Sequence, residues 1–285
     1  MTYLQAILLG LIQGATELFP LSSLGHEAIL PHLLGWQIRV QDSSFLAFLV
    51  ATHFATAVVL FFYFFKDWKE ILKGLGRLVS NRQLERGDFQ ARLGLLLIVG
   101  TIPTGILGLL GEKRVRNFFT SPSQIAFFLM LNGIMLLVAE RLRLRAPVVN
   151  TEAGSDERIS GLSSVKAFAI GLAQSVALIP GFSRSGASMA GGLLTGLSNE
   201  DAARFSFLLA TPIIGAAALY KMPELFRADN RSILGPALVG SVIAGIAAYL
   251  STRFLLRFFR SHRLTPFAIY CLVAGGGLFA YFVTR

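Results

Sequence analysis

The stretch that decides the fold is residues 3–35, which read YLQAILLGLIQGATELFPLSSLGHEAILPHLLG. This apolar segment is too long for one membrane span of about 20 residues, and residues 20–26 interrupt it with Pro, Ser and Gly. A second long segment, residues 163–197, is interrupted in the same way at residues 180–186. Irregular backbone at membrane depth is tolerated only where it is buried in protein or lines a cavity. We therefore predict that each segment is a re-entrant helix–loop–helix.

The composition indicates a membrane protein. Of the 285 residues, 54% are hydrophobic and 15% are charged, whereas soluble domains carry about 25% charged residues. The single cysteine, Cys271, excludes an intrachain disulfide and a cysteine-based zinc site. The net charge of +10 does not indicate nucleic-acid binding, because the basic residues lie between apolar runs instead of forming one basic face.

Six further apolar segments are long enough to cross a bilayer. The sequence thus predicts an all-α polytopic membrane protein, with six transmembrane helices and two re-entrant segments in a single membrane domain, residues 1–285. The predicted spans are Ser44–Phe65, Leu93–Leu110, Pro122–Ala139, Ala202–Tyr220, Ser232–Leu250 and Leu264–Val283.

The two interrupted segments resemble each other at an offset of 161 residues, which aligns Gly10 with Gly171 and Gln13 with Gln174. Three predicted spans follow each segment, and an odd number of spans places the two halves in opposite orientations, as in many transporters. We predict an inverted repeat with halves at about residues 1–145 and 160–285, joined by a linker at about 146–161.

The basic residues predict the orientation. With six spans and two re-entrant segments, one side of the membrane collects 17 Lys and Arg in loops 66–92, 140–166 and 251–263 and at Arg204, and the other side collects 8. The positive-inside rule places the more basic side in the cytoplasm and both termini outside.

The first broken segment contains the residue types expected of a reaction site. Glu17 lies inside an apolar helix, where a charge costs about 2.5–3.5 kcal/mol on insertion scales, so it is a functional candidate. Gln13 precedes it by four residues on the same helix face. The loop that follows adds Ser22, Ser23 and His26. A salt bridge between Glu17 and a cation on another helix is the structural alternative.

The second broken segment supplies the cation. Arg184 lies between Ser183, Ser185 and Gly186, and this loop leads into a helix. Backbone N–H groups at a helix N-terminus favour an anion, and a guanidinium matches phosphate oxygens. Together the segments predict phosphoryl chemistry on a lipid, with a divalent ion bridging Glu17 and the phosphate and with His26 moving protons.

The chain resembles the undecaprenyl-diphosphate phosphatase family of the BacA/UppP type, which is linked to bacitracin resistance. The motifs that carry the resemblance are GLIQGATELFPLSSLGH at residues 10–26 and PGFSRSGAS at residues 180–188, with FSFLLA at 205–210 and PFAIY at 266–270. The resemblance implies hydrolysis of undecaprenyl diphosphate to undecaprenyl phosphate and inorganic phosphate, which recycles the carrier lipid of peptidoglycan synthesis. It also implies a bacterial inner-membrane location with the site open to the periplasmic side.

Matched position by position, the resemblance implies a role for each candidate residue. It implies that Glu17, Ser23, His26 and Arg184 are catalytic, that Mg²⁺ or Ca²⁺ is held by Glu17 and Gln13, and that the phosphate is bound by Ser22, Ser183, Arg184, Ser185 and Gly186. The expected partners are the polyprenyl diphosphate and membrane lipid, with no nucleic acid; a homodimer is left open.

This sequence departs from the family pattern in its metal ligands and its first loop. Gln13 stands where many members carry Glu, and Leu24 replaces a usual Thr. We hypothesise that Glu27, at a position that is usually apolar, partly compensates for the missing carboxylate. The other histidines, His32, His53 and His262, are interpreted as structural because no acidic or serine cluster lies near them in sequence.

Two questions stay open at this point. The nucleophile is either Ser23, with Ser22 as its alternative, or a water activated by His26. A transporter for an anionic lipid or solute is the main alternative function, because inverted repeats with broken helices are typical of transporters.

Overall fold

A computed structural model describes residues 1–38, 41–118, 121–144 and 154–284, with the side chains of 112–118 left out. The described residues form twelve α-helices and two short 3₁₀ helices. Half of the predicted linker, residues 146–153, lies outside the described residues. Its last part forms the short helix α7 (Ser155–Ser160).

Six helices are long and apolar enough to cross a membrane, which confirms the predicted number. They are α3 (Ser43–Tyr63), α5 (Phe89–Phe118), α6 (Pro122–Leu144), α10 (Asn199–Leu225), α11 (Leu234–Phe258) and α12 (Thr265–Val283). α5 continues beyond the predicted end of its span at Leu110 as far as Phe118, and α11 continues into the predicted loop 251–263. An additional helix, α4 (Phe65–Asn81), fills the loop between α3 and α5.

Each interrupted segment is divided into two helices at the predicted break. The first forms α1 (Tyr3–Thr16) and α2 (Ser23–Leu33), and the second forms α8 (Ser164–Gln174), a 3₁₀ turn and α9 (Arg184–Leu194). Ser22 and Ser183 are the N-caps of α2 and α9, and each accepts a hydrogen bond from a backbone N–H three residues on. Such caps satisfy donors that a helix start leaves unpaired. Re-entry of each pair on one side of the membrane stays a prediction.

The first helix of each segment packs against a spanning helix from the other half of the chain. α1 lies against α11, and α8 lies against α5. Glycines make these approaches possible, because a Cβ at Gly10 would overlap the backbone of Gly240, and a Cβ at Gly171 would overlap that of Gly100. Close backbone approach at small residues is the usual way in which helices associate in membranes. The inverted orientation of the halves stays a prediction.

We predict that Gly171→Ala destabilises the protein by about 1–3 kcal/mol, because the added methyl group has no room beside Gly100. Gly105→Ala is the matched control, since a Cβ at Gly105 meets no atom within 4 Å. Thermal unfolding in detergent should show a lower midpoint for the first variant and an unchanged or higher midpoint for the second. Equal midpoints would contradict the close packing of α5 and α8.

Candidate active site

The two broken segments meet, and Asn132 of α6 joins them. Its side chain is fully buried. Nδ2 of Asn132 donates to the carbonyl of Pro20 at 2.9 Å, and Oδ1 accepts from the backbone N–H of Ser183 at 3.1 Å. One amide therefore fixes the first break relative to the second, and it holds residues more than 160 positions apart in one place.

The Glu17 carboxylate is the centre of the site. Its side chain is only 5% exposed. Oε1 accepts a hydrogen bond from Nη2 of Arg184 at 2.8 Å. Oε2 accepts from Nε2 of Gln13 at 3.1 Å and from the hydroxyl of Ser23. The predicted pairing of Glu17 with a cation is thus present, and the carboxylate also contacts two other predicted site residues.

His53 joins this cluster from α3, although its sequence context indicates a structural residue. Its Nε2 lies 3.6 Å from Oε2 of Glu17. Its Nδ1 lies 2.8 Å from the carbonyl of Leu49, so it carries the proton and donates to that oxygen. His53 is the eleventh of the 21 residues of α3, so the carboxylate lies near the middle of that spanning helix.

Arg184 offers a donor that the protein does not use. One guanidinium nitrogen, Nη2, pairs with Glu17, while the other, Nη1, is buried without a hydrogen-bond partner among the described residues. A buried donor without a partner costs roughly 1–3 kcal/mol. A guanidinium presents its donors as a planar fork that matches phosphate oxygens, so Nη1 is placed to bind an anion that enters beside Glu17.

Ser22 and Ser23 have different tasks. The Ser22 hydroxyl accepts from the N–H of Gly25 at 3.2 Å and caps α2. Ser22 also has φ of 71°, in the left-handed region that residues other than glycine rarely adopt. The Ser23 hydroxyl instead donates to Glu17. The geometry therefore distinguishes a turn-forming serine from one that contacts the buried carboxylate.

The imidazole of His26 contacts α12. Its Nδ1 lies 2.7 Å from the carbonyl of Ser22, and its Nε2 lies 2.9 Å from the Tyr270 hydroxyl. Because a carbonyl can only accept, Nδ1 carries the proton, and in the neutral ring Nε2 is the acceptor. The two rings are stacked, with centroids 5.8 Å apart. Nε2 is thus held in the form that can accept a proton.

The loop before α9 lies against the first break through its hydroxyls. The hydroxyls of Ser183 and Ser185 lie 3.0 Å apart, and they donate to the carbonyl of Phe19 at 3.4 and 3.0 Å. Ser183 also accepts from the N–H of Gly186 at 3.0 Å. These hydroxyls join the two segments, and phosphate binding by Ser183, Ser185 and Gly186 stays a prediction.

The oxygen atoms that the described residues leave without hydrogen-bond partners around Glu17 suit a hard cation as ligands. Oε1 of Gln13 and both carboxylate oxygens of Glu27 are buried without hydrogen-bond partners among the described residues. Glu27 follows Ser23 by four residues on α2, so it lies on the helix face that carries the Glu17 contact. Amide and carboxylate oxygens are the ligands that Mg²⁺ and Ca²⁺ prefer. Within the described ranges, no three His, Cys, Asp or Glu side chains form a metal-binding group.

Most of the predicted residues thus lie in one region, although not all in one contact network. Gln13, Ser23 and Arg184 each contact Glu17, whereas His26 contacts Tyr270. Asn132, His53 and Tyr270 were missed as site residues by the sequence analysis. The one available signal was the polarity of Asn132 and His53 inside otherwise apolar helices.

The chain is similar to known proteins along nearly its whole length. A model of the family described as bacitracin resistance protein BacA matches residues 6–277. The chain is 45% identical over 303 residues to an undecaprenyl-diphosphatase of Mycolicibacterium paratuberculosis (strain ATCC BAA-968 / K-10), covering 100% of this chain and 99% of the relative. It is 45% identical over 283 residues to an undecaprenyl-diphosphatase of Acidiphilium cryptum (strain JF-5), covering 96% of each chain. It is 40% identical over 286 residues to undecaprenyl-diphosphatase 2 of Oenococcus oeni (strain ATCC BAA-331 / PSU-1), covering 98% of each.

Proposed function

The chain belongs to the bacitracin resistance protein BacA family and is an integral-membrane undecaprenyl-diphosphatase, and we propose that its reaction takes place where the two broken segments meet. It hydrolyses undecaprenyl diphosphate to undecaprenyl phosphate and inorganic phosphate, and so recycles the carrier lipid. The observation that supports this place is Arg184, which pairs with the buried Glu17 and keeps a second, unpartnered buried donor.

Arg184 binds the diphosphate. Its free Nη1 donates to a phosphate oxygen, while its bond to Glu17 holds the guanidinium in place. Charge-assisted hydrogen bonds from a guanidinium are about twice as strong as neutral ones. The N-terminus of α9 adds backbone donors and a favourable dipole on the same side. Because the site lies near mid-depth of α3, the prenyl tail can stay among the spanning helices while the headgroup reaches Arg184.

Ser23 is the nucleophile in this proposal, since its hydroxyl already donates to a carboxylate. Its oxygen attacks the terminal phosphorus, its proton passes to Glu17, and the bond to the bridging oxygen breaks. Undecaprenyl phosphate then leaves, and water hydrolyses the phosphoserine to release inorganic phosphate. Ser22 is less suited to attack because its hydroxyl caps α2.

His26 accepts the proton of the attacking water at Nε2. The bond from Nδ1 to the Ser22 carbonyl fixes the ring, and Tyr270 occupies Nε2 until water or substrate replaces it. General acid–base catalysis of this kind contributes about 10²–10⁴-fold in rate. His53, which lies beside Glu17 on the side of α3, positions that carboxylate and does not take part in proton transfer to water.

A divalent cation, Mg²⁺ or Ca²⁺, fits the unpartnered oxygens of Gln13 and Glu27 together with Glu17. When bound, it neutralises charge that develops on the phosphates. Gln13 would provide an amide oxygen in place of a carboxylate, and Glu27 would provide the second carboxylate from α2.

We place this enzyme in the bacterial cytoplasmic membrane with the site open to the outer face. The distribution of 17 against 8 basic residues supports this orientation through the positive-inside rule. The homodimer stays a prediction, which the mass of the detergent-solubilised particle tests.

Phosphate release from purified protein tests the function. We expect wild-type protein in detergent to release phosphate from a long-chain prenyl diphosphate and to lose this activity in EDTA, with recovery when Mg²⁺ or Ca²⁺ is added. Glu27→Gln should shift the activation by cation to higher concentration. An unchanged cation dependence would contradict the role of Glu27, and no release from well-folded protein would favour a transporter that binds with the same residues.

The same reaction, quenched within the first turnover, tests the nucleophile. A phosphoserine trapped at Ser23 is the expected result, and Ser22→Ala serves as the neighbouring control. Absence of a phosphoenzyme together with an active Ser23→Ala protein would assign the attack to water.

A further inference from the structure

A polar cavity lies at one end of the helix bundle. Its volume is about 520 Å³, and its lining includes Tyr63, Asp67, Arg204, Arg253, Arg257 and Arg260. It is formed where α3 ends, where α4 and α10 begin, and along the last turns of α11. Tyr63 follows His53 by ten residues on α3, which corresponds to about 15 Å along the helix axis. The cavity is therefore separate from the phosphatase site.

Some arginines that line this cavity form salt bridges with carboxylates of the described residues, and others do not. Arg204 pairs with two carboxylates, since its guanidinium contacts both Asp67 and Asp156. Arg260 lies 3.4 Å from Glu200. Arg253 and Arg257 differ, because neither forms a salt bridge with an acidic side chain in the part of the chain that the structure describes.

Arg253 and Arg257 are spaced by four residues and so lie on one face of α11. Like charges at this spacing repel each other and destabilise a helix by a few tenths of a kcal/mol. An anion between the two guanidinium groups converts that repulsion into attraction. Guanidinium groups bind phosphate well, because its oxygens match their donor geometry.

Apolar surface continues from these arginines along the same helix. Leu250 and Phe254 are 58% and 52% exposed, and Tyr249, which packs edge-on against Tyr63, is 46% exposed. In a membrane, such side chains face lipid tails, while the basic cavity at the helix end lies at headgroup level. Basic pockets between transmembrane helices are known to bind anionic headgroups.

We propose that the cavity formed by Arg253, Arg257 and Arg204 binds a phosphate group, and that this phosphate belongs to an anionic phospholipid whose tails lie over Leu250 and Phe254. The ligand chemistry is a phosphate ester or free phosphate, and the apolar surface beside the arginines favours the lipid. The proposal does not depend on the phosphatase reaction.

The test compares two double variants of equal charge change. Arg253→Gln with Arg257→Gln removes the two unpaired guanidinium groups. Arg227→Gln with Arg231→Gln is the matched control, since these two arginines have the same spacing and are exposed near the opposite end of α11. Both proteins and the wild type are purified in detergent, and thermal unfolding confirms that each is folded.

Native mass spectrometry then measures binding of phosphatidylglycerol, phosphatidylcholine and inorganic phosphate. We expect one phosphatidylglycerol to bind the wild type and the control at least about tenfold more tightly than phosphatidylcholine, and the first variant to lose this preference. Equal weakening in the control variant would overturn the proposal in favour of general surface charge. Tight binding of inorganic phosphate without any preference for phosphatidylglycerol would retain the cavity and overturn the lipid as its source.

Discussion

We expect Arg184→Ala to lower kcat/KM for phosphate release by about 10³-fold or more, and Arg184→Lys to lower it by about 10²-fold. These magnitudes follow from the cost of removing a charge-assisted donor that faces developing negative charge in a site shielded from water. In Arg184, Nη2 pairs with Glu17 while Nη1 is left for the phosphate. Lysine keeps the charge but lacks this forked pair of donors. The measurement is steady-state phosphate release in detergent with a long-chain prenyl diphosphate.

A stability measurement separates catalysis from folding in this experiment. Removal of Arg184 leaves the Glu17 carboxylate buried without its cation, which costs roughly 3–5 kcal/mol. Glu17→Gln in the Arg184→Ala background removes that unpaired charge, so the double variant should recover thermal stability but not activity. An Arg184→Ala protein that is stable and keeps more than a tenth of wild-type activity would refute the role of Arg184 in the reaction.

His26→Ala should lower kcat by about 10²–10⁴-fold, the usual contribution of a general acid or base. Because the proposed role requires unprotonated Nε2, wild-type activity should fall towards acid pH, and the residual activity of the variant should lose that dependence. The measurement is kcat as a function of pH, with Tyr270→Phe expected to change kcat by only a few fold, since the phenol is displaced during the reaction.

His32→Ala is the matched control for His26→Ala. Both imidazoles lie on α2, and each bonds through Nδ1 to a backbone carbonyl four residues earlier, at 2.7 Å for His26 and 3.0 Å for His32. His32 has no contact with the site residues described above. An equal loss of activity in both variants would show that α2 had been disturbed and would remove the argument for His26 as a base.

The breaks and the spans could be predicted because each depends on local chemistry. Pro20 lacks the N–H group that a continuing helix would use, Ser22 and Ser183 are good N-caps, and runs of about 20 apolar residues are long enough to span. The helices α5 and α11 continue beyond the predicted spans, because Lys, Arg, Glu and Leu continue a helix beyond the apolar run.

The site residues that were not predicted from the sequence contact segments that are distant from them along the chain. His53 and Tyr270 reach the site from α3 and α12, and Asn132 reaches it from α6, so their partners lie far away in sequence. Nothing local distinguishes Asn132 or His53 from a polar residue that satisfies its own helix. The pairing of Glu17 with Arg184 could be predicted, because a buried carboxylate needs a cation and Arg184 is the one Lys or Arg at either break.

The crossed packing of α1 on α11 and α8 on α5 has a consequence for biosynthesis. Glu17 and Arg184 are 167 positions apart, and translation at about 5–20 residues per second separates their appearance by roughly 8–30 s. The interval between synthesis of Gly10 and synthesis of its packing partner Gly240 is longer still. During that interval the nascent chain contains the Glu17 carboxylate without its cation, and the face of α1 that packs on α11 is uncovered. The insertion machinery must therefore shelter α1 until the C-terminal helices arrive, so premature chain termination anywhere before α11 should yield a protein that is recognised as unassembled.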